Sequence, residues 1–201
     1  MTESSSLKPR RSALYMPCSN TRALDKAQIL ECDAVIFDLE DAVSPDKKIQ
    51  ARQLVINVLK TGGFGNRELV VRCNGLDSPW GHDDLIAIAA TSADGVCLPK
   101  VEKPETIRQV VCTLTDAGDQ TKGIWAMAET PLGIQAIDEI AQADPRLRAI
   151  LMGTSDLAKE LRIPHTPDPT GFLYSLYCRC QNCGTGCNRR CASRHRRRRW
   201  I

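Results

Sequence analysis

Five short polar stretches, each directly after an apolar run, carry side chains able to hold a cation and an anion together. They are Asp38-Leu39-Glu40-Asp41, Arg72-Cys73-Asn74, Pro99-Lys100, Glu129-Thr130 and Gly153-Thr154-Ser155-Asp156. Two carboxylates that leave room for waters and a substrate are the usual protein share of a Mg²⁺ site, and Glu129 and Asp156 fit that role. Neither segment holds a His or Cys companion, which argues against zinc or another metal that seeks nitrogen or sulfur. The planar fork of Arg72 can grip a carboxylate in two hydrogen bonds. A divalent ion beside an arginine points to a small oxo-acid. Taken singly, an acid after a strand is as readily the first turn of the next helix, stabilised by its dipole. Glu40 and Asp41 keep both readings: oriented towards metal-bound water or lysine side chains, or charging the helix that starts near Ser44.

The joint reading needs elements that bring these stretches to one mouth. The apolar runs are Ala13 to Met16, Ala34 to Leu39, Leu69 to Cys73, Gly95 to Leu98, Ile124 to Ala128 and Ala149 to Met152. They are apolar almost throughout rather than alternating, as parallel strands covered on both faces are. Ser44-Pro45, Ser78-Pro79 and Thr130-Pro131 each offer a capping oxygen with proline at the first helical position. Gly62 and Gly118 stand where helices should stop. Six βα units follow, an α/β fold with a parallel sheet whose chemistry belongs at the carboxyl ends of the strands.

The segments around these residues carry a family likeness. Arg11 to Pro17, DAVIFDLEDAV (Asp33 to Val43), VVRCNG (Val70 to Gly75), LPKVE (Leu98 to Glu102), AETPLGI (Ala128 to Ile134) and GTSDLA (Gly153 to Ala158) resemble the citrate lyase β-subunit group of the HpcH/HpaI aldolase superfamily. The superfamily also includes malyl-CoA and citramalyl-CoA lyases. The resemblance implies a TIM barrel and assembly as a homotrimer or hexamer. It places the magnesium-binding carboxylates on Glu129 and Asp156 and the substrate-binding arginine on Arg72. Tyr15 and Lys26 match an aromatic residue and a lysine that help hold the acyl-CoA, although those relatives often have arginine where this chain has Asn20. The implied reaction is reversible carbon–carbon cleavage of a 3-hydroxyacyl-CoA into acetyl-CoA and a 2-oxo acid. In it magnesium acts as a Lewis acid on the oxo-acid oxygen and Arg72 orients the carboxylate. Glu40 is expected to assist from behind.

The opening segment has no apolar run of a secretory signal, and no stretch reaches the roughly 18 to 20 apolar residues that span a bilayer, so a cytoplasmic protein without membrane contact is expected. Cys18, Cys32, Cys73, Cys97 and Cys112 are scattered without repeated spacing, as reduced core thiols are. His82 and His165 lie in polar contexts without a telling partner, and Ser155 reads as a helix cap rather than a nucleophile. The glycines at 62, 63 and 65 follow a helix rather than a strand, so they do not make a phosphate loop.

Charge divides the chain unevenly. Residues 1 to 170 carry 19 Lys and Arg against 24 Asp and Glu, whereas residues 171 to 201 hold eight arginines, five of the ten cysteines and no acid or lysine. The expected organisation is a disordered N-terminus over residues 1–10, a partial barrel over 11–170 and a basic tail over 171–201. A TIM barrel has eight strands in about 250 residues, and six are legible here, so the expected fold is an incomplete (β/α)8 barrel. Three accounts of the tail compete. One is a thiolate knot for metal built from Cys178, Cys180, Cys183, Cys187, Cys191 and His195. Another is an arginine arm that binds nucleic acid non-specifically, if at all. The favoured one is a reading frame lost near residues 170 to 177, giving a disordered tail, a poorly soluble chain and impaired lyase activity. The alternative function is a catalytically inactive fragment whose behaviour is set by that tail.

Overall fold

The computed structural model describes residues 10–162. In chain order the elements are β1 (Ala13–Pro17), α1 (Thr21–Ala27), β2 (Ala34–Asp38), a 3-10 turn (Pro45–Lys47) running into α2 (Lys48–Thr61), β3 (Glu68–Arg72), α3 (Gly81–Ala89), β4 (Gly95–Leu98), α4 (Pro104–Asp116), β5 (Gly123–Ala128), α5 (Pro131–Gln135), α6 (Ile137–Ala141), β6 (Leu147–Met152) and α7 (Thr154–Glu160). All strands are parallel, in the spatial order β1-β2-β3-β4-β5-β6. A doubly wound sheet reverses its strand order at a switch point, whereas a barrel adds each strand beside the last. The described residues therefore form an incomplete TIM-type barrel, as the sequence led us to expect.

Alternate residues of each strand serve two different cores. One face packs Val35, Phe37, Val71, Val96, Leu98 and Ile124 against the helices. The helices answer with stripes at helical spacing: Ala51, Val55 and Leu59 on α2, and Ile107, Val110 and Leu114 on α4. Full burial of one such Val, Leu or Ile contributes roughly 1.5–3 kcal/mol. The other, inward face is a smaller cluster of Ala34, Ile36, Val70, Cys97, Trp125 and Met127, with Ala149 and Leu151 half-buried against it. Because the side-chain period is two, Asp38, Arg72 and Glu129 continue this inward face at the carboxyl end.

Several element ends differ from the sequence expectation for local reasons. β3 starts at Glu68 because that carboxylate is buried in a fork with Arg10 (2.6 and 2.8 Å). β6 starts at Leu147, the exposed Arg148 having masked its periodicity. Thr130 caps α5 as expected, its Oγ1 accepting from the Gly133 N–H at 3.1 Å. Ser44 precedes the 3-10 turn without a side-chain cap bond. Ser78 closes a turn instead, donating to Gly75 O at 2.6 Å and accepting from the Gly81 N–H at 3.2 Å, so α3 begins at Gly81 rather than at Pro79. Ser155 lies inside α7, whose N-cap is Gly153. His82 is exposed on α3. His165, the first nine residues and the tail with its cysteines and arginines lie outside the described residues.

A polar clamp joins elements near the strands' amino ends. Lys122, buried before β5, donates to Ala89 O (3.0 Å), Thr91 O (2.9 Å) and Asp119 Oδ2 (2.8 Å). Arg146 donates to Asp119 Oδ1 at 3.1 Å from the start of β6. Burial alone would raise the Asp119 carboxyl, but the Lys122 ammonium and the N–H groups of Lys122 and Thr121 outweigh it and hold the value below the usual aspartate range. A depressed carboxyl contributes stability that is fully present above the unfolded value, about 3.9, and is lost as pH falls through the folded value. Asp119→Asn should cost roughly 2–4 kcal/mol at neutral pH, because Lys122 is left buried without its counter-charge. The difference from wild type should shrink on acidification. Urea midpoints measured across the acid range check both; an equal loss at every pH would refute the assignment.

Candidate active site

The rim at the carboxyl ends of β2 to β5 is built around one buried guanidinium. β2 and β3 set Asp38 beside Arg72 in register. Arg72 Nε donates to Asp38 Oδ1 at 2.8 Å and Nη2 to Oδ2 at 2.6 Å, a two-bonded fork with both partners almost wholly buried. Nη1 lies 3.1 Å from Glu40 Oε2 and 3.5 Å from the exposed Asp41. The Tyr15 ring stacks on the guanidinium, 5.1 Å from its centroid, and the Tyr15 hydroxyl and Arg72 Nη1 both reach Met127 Sδ (3.7 and 3.6 Å). Burial lowers the affinity of Arg72 for its proton, but Asp38 and Glu40 more than reverse this, so the group is a fixed cation. Burial likewise raises the Tyr15 phenol well above its ordinary value.

Backbone polar groups hold this cluster in place. Asp38 also accepts from the N–H of Glu40 (2.8 Å) and of Ala42 (3.2 Å), which curls the chain after β2. Lys48, buried at the start of α2, donates to Leu39 O (2.8 Å) and Glu40 O (2.6 Å) and lies over the Trp80 ring. After β3, Asp84 accepts from the Asn74 N–H (3.0 Å) and side-chain amide (2.7 Å), and from Arg52 Nε (2.6 Å). The loops that follow β2 and β3 are therefore pinned from α2 and α3.

Glu129 follows β5 and is 1% exposed. Its Oε1 accepts from the Lys100 N–H at 2.8 Å, while Oε2 has no hydrogen-bond partner among the described residues. Burial raises this carboxyl above its usual value; the Lys100 N–H opposes the shift, and the charges of Asp156 and Glu40 add to it. Asp156, in the first turn of α7, is thus near enough to act on Glu129 electrostatically. A side chain at Gly153, where β6 meets α7, would strike the Glu129 carboxylate, so the close approach of these two segments requires glycine. A buried carboxylate oxygen without a donor, beside a second acid, is what an incoming cation would satisfy. Among the described residues no three His, Cys, Asp or Glu side chains gather at ligand spacing. The pair suits a cation that keeps most of its waters, as Mg²⁺ does.

Lys100 Nζ approaches Glu40 Oε1 at 3.4 Å, linking the Glu129 side of the rim to the Arg72 side. Burial raises the Glu40 carboxyl, with Arg72 and Lys100 opposing and Asp41 adding. A cavity of about 990 Å³ opens alongside, with Glu40, Lys48, Asn74, Trp80, Lys100 and Thr130 among its walls.

The structure brings Arg72, Glu40 and Tyr15 into contact and buries Glu129 on the same rim, with Asp156 linked to it through its charge on Glu129, while Lys26 stands exposed on the last turn of α1. Asp38 was not singled out from the sequence, nor were Lys48 and Asp84. Asp38 had a weak signal, an acid at period two from Ala34 and Ile36 at the end of an otherwise apolar run; its pairing with Arg72 comes from the β2–β3 register. It occupies the Nε–Nη2 edge of Arg72, so the two-bonded fork expected for a substrate is taken by Asp38, and Nη1 faces Glu40 and Asp41.

A parallel, sequentially ordered sheet with acids and an arginine at its carboxyl rim defines a (β/α)-barrel-type domain. The chain belongs to the HpcH/HpaI aldolase/citrate lyase family, whose model matches residues 11–188. It is 48% identical over 160 residues to a (3S)-malyl-CoA thioesterase of Cereibacter sphaeroides, an alignment that covers 80% of this chain and 54% of the relative. It is 35% identical over 172 residues to the citrate lyase subunit beta of Leuconostoc mesenteroides, covering 83% of this chain and 57% of that one. The chain therefore spans little more than half the length of these relatives. Among solved structures, the protein CitE of Mycobacterium tuberculosis in complex with magnesium, acetoacetate and coenzyme A matches with a TM-score of 0.67 at 26% identity, over 86% of this chain and 62% of that one. Among the described residues no helix is long and apolar enough to cross a membrane.

Proposed function

We propose that this chain carries the Mg²⁺ and oxo-acid half of a CoA-ester lyase, which cleaves a 3-hydroxyacyl-CoA reversibly to acetyl-CoA and a 2-oxo acid. The observation that carries the reading is the buried Oε2 of Glu129, which has no hydrogen-bond partner among the described residues, within reach of the charge of Asp156 and on the same rim as Arg72. Glu129 and Asp156 hold the cation, which when bound supplies Lewis-acid polarisation of the substrate's oxo or hydroxyl oxygen. Arg72, immobilised by Asp38, presents Nη1 to the substrate carboxylate. Glu40 shares that nitrogen and must turn away from it, or take up a proton, when the carboxylate binds. In the cleavage direction the hydroxyl proton departs to a base, the C–C bond pair passes into the thioester enolate, and a proton added there yields acetyl-CoA. Tyr15 and Lys26 are assigned to the CoA ester. CitE of M. tuberculosis, crystallised with magnesium, acetoacetate and coenzyme A, supports the choice of ligands. Assembly as a trimer or hexamer follows the same reasoning by family. The free thiols of Cys18, Cys32, Cys73, Cys97 and Cys112 support a reducing, cytoplasmic setting.

A second reading, thioester hydrolysis, is favoured by the 48% identity to a malyl-CoA thioesterase. Product analysis separates the two. Malyl-, citryl- and citramalyl-CoA are incubated with the chain and Mg²⁺, and oxaloacetate binding is measured by calorimetry with and without Mg²⁺. Acetyl-CoA with a 2-oxo acid supports the lyase, and free CoA with the intact hydroxy acid supports the thioesterase. Absence of both turnover and Mg²⁺-dependent oxaloacetate binding overturns the site assignment.

A further inference from the structure

Lys100 departs from ordinary backbone geometry at the centre of this rim. Its φ is +49°, in the left-handed region that non-glycine residues other than Asn and Asp seldom enter. Strain of this kind persists where the surroundings require it. Here the requirement is visible. The left-handed turn after Pro99 directs the Lys100 N–H to Glu129 Oε1 at 2.8 Å, and the next N–H, of Val101, returns to the sheet at Met127 O (3.2 Å). The Lys100 side chain is half-exposed and, among the described residues, makes only a long contact, 3.4 Å, with Glu40. Neither a packing role nor a strong ion pair accounts for the conformation.

We propose that Lys100 is a positioning residue whose left-handed backbone fixes Glu129 Oε1 and so leaves Oε2 as the ligating oxygen. This deepens the cation-site reading of Glu129 and rests on it. An N–H bonded to one oxygen stops rotation of the carboxylate about its terminal bond, which an unpinned Glu would explore at an entropic cost on binding. The role belongs to the backbone, so side-chain charge is dispensable while tolerance of positive φ is not. Glycine should serve as well as lysine, and methionine nearly as well. Valine, β-branched and poorly tolerant of positive φ, should not. Proline, which lacks the N–H and is locked at negative φ, should be worst.

The test reads Mn²⁺ affinity by electron paramagnetic resonance in the 201-residue chain, with folding checked by circular dichroism. Lys100→Gly and Lys100→Met are expected within about twofold of wild type, and Lys100→Val and Lys100→Pro weaker by about 10- to 100-fold, the usual effect of losing a group that orients a ligand. If Gly and Met weaken binding as much as Pro does, the ammonium is what matters and the proposal is overturned. A folded Lys100→Pro chain that binds Mn²⁺ like wild type overturns it as well. Wild type that fails to bind Mn²⁺ sinks the cation reading itself. Should Val and Pro fail to fold, amide hydrogen exchange decides independently: the Lys100 N–H, protected in wild type, is expected to exchange faster in Glu129→Ala, and unchanged exchange there refutes the contact.

Discussion

Replacing Asp38 by alanine should destabilise the chain by roughly 3–5 kcal/mol, the range observed when one member of a buried ion pair is removed. Arg72 is only 6% exposed, and two of its nitrogens are occupied by the Asp38 carboxylate. Without it the guanidinium stays charged, because a group of such high proton affinity does not neutralise itself in a protein. The N–H groups of Glu40 and Ala42 lose their acceptor at the same time, so the curl after β2 loosens. Against a typical total of 5–15 kcal/mol this is a large fraction. The diagnostic comparison is the double change Asp38→Leu with Arg72→Met. Removing both charges avoids the stranded cation, and such replacements are often neutral or stabilising. Urea denaturation should therefore show the double variant recovering most of the stability lost by Asp38→Ala, while oxaloacetate binding stays abolished. A double variant as unstable as the single one would mean that Asp38 matters through its backbone contacts rather than through Arg72.

That pair also shows what the sequence could and could not reveal. Strand identity was legible because β2, β4 and β5 are apolar almost throughout, the pattern of strands covered on both faces. Strand ends were less so. Glu68 and Arg148 are polar residues within strands, one buried because Arg10 neutralises it and the other directed outward, and neither fact has a local sequence signal. At the rim, residues chosen for their chemistry do converge: Arg72 and Glu40 are in contact, and Glu129 feels the charges of Asp156, Glu40 and Arg72. The residues that act through others carry little signal in the sequence. Asp38 appeared to be one acid among several in Asp38-Leu39-Glu40-Asp41 until the β2–β3 register set it against Arg72. Lys48 and Asp84 lie 8 to 10 residues beyond the loops they pin, bonding Glu40 O and Asn74 respectively. A left-handed lysine after Pro99 is likewise invisible in sequence, where glycine or asparagine would have announced the turn.

Glu129→Gln should weaken Mg²⁺ or Mn²⁺ binding by at least about 100-fold, or roughly 2.8 kcal/mol, while leaving the metal-free chain no less stable than wild type at neutral pH. The two halves of this expectation have one cause. Wild-type Glu129 is buried, with one oxygen unpartnered and Asp156 and Glu40 nearby, so the folded state resists its ionisation. A carboxyl raised in this way gives stability that is complete below the unfolded value, about 4.3, and is lost as pH rises through the folded one. As pH rises wild type therefore loses that contribution, whereas the neutral amide does not. Glutamine keeps an oxygen for the Lys100 N–H but offers the cation a neutral group in place of a carboxylate. Urea midpoints for the two metal-free chains should accordingly converge as pH is lowered, and only wild type should gain stability when Mg²⁺ is added. A Glu129→Gln chain that is stabilised by Mg²⁺ as strongly as wild type would place the cation elsewhere. A metal-free variant much less stable than wild type at neutral pH would show that the carboxylate serves the fold before it serves the site.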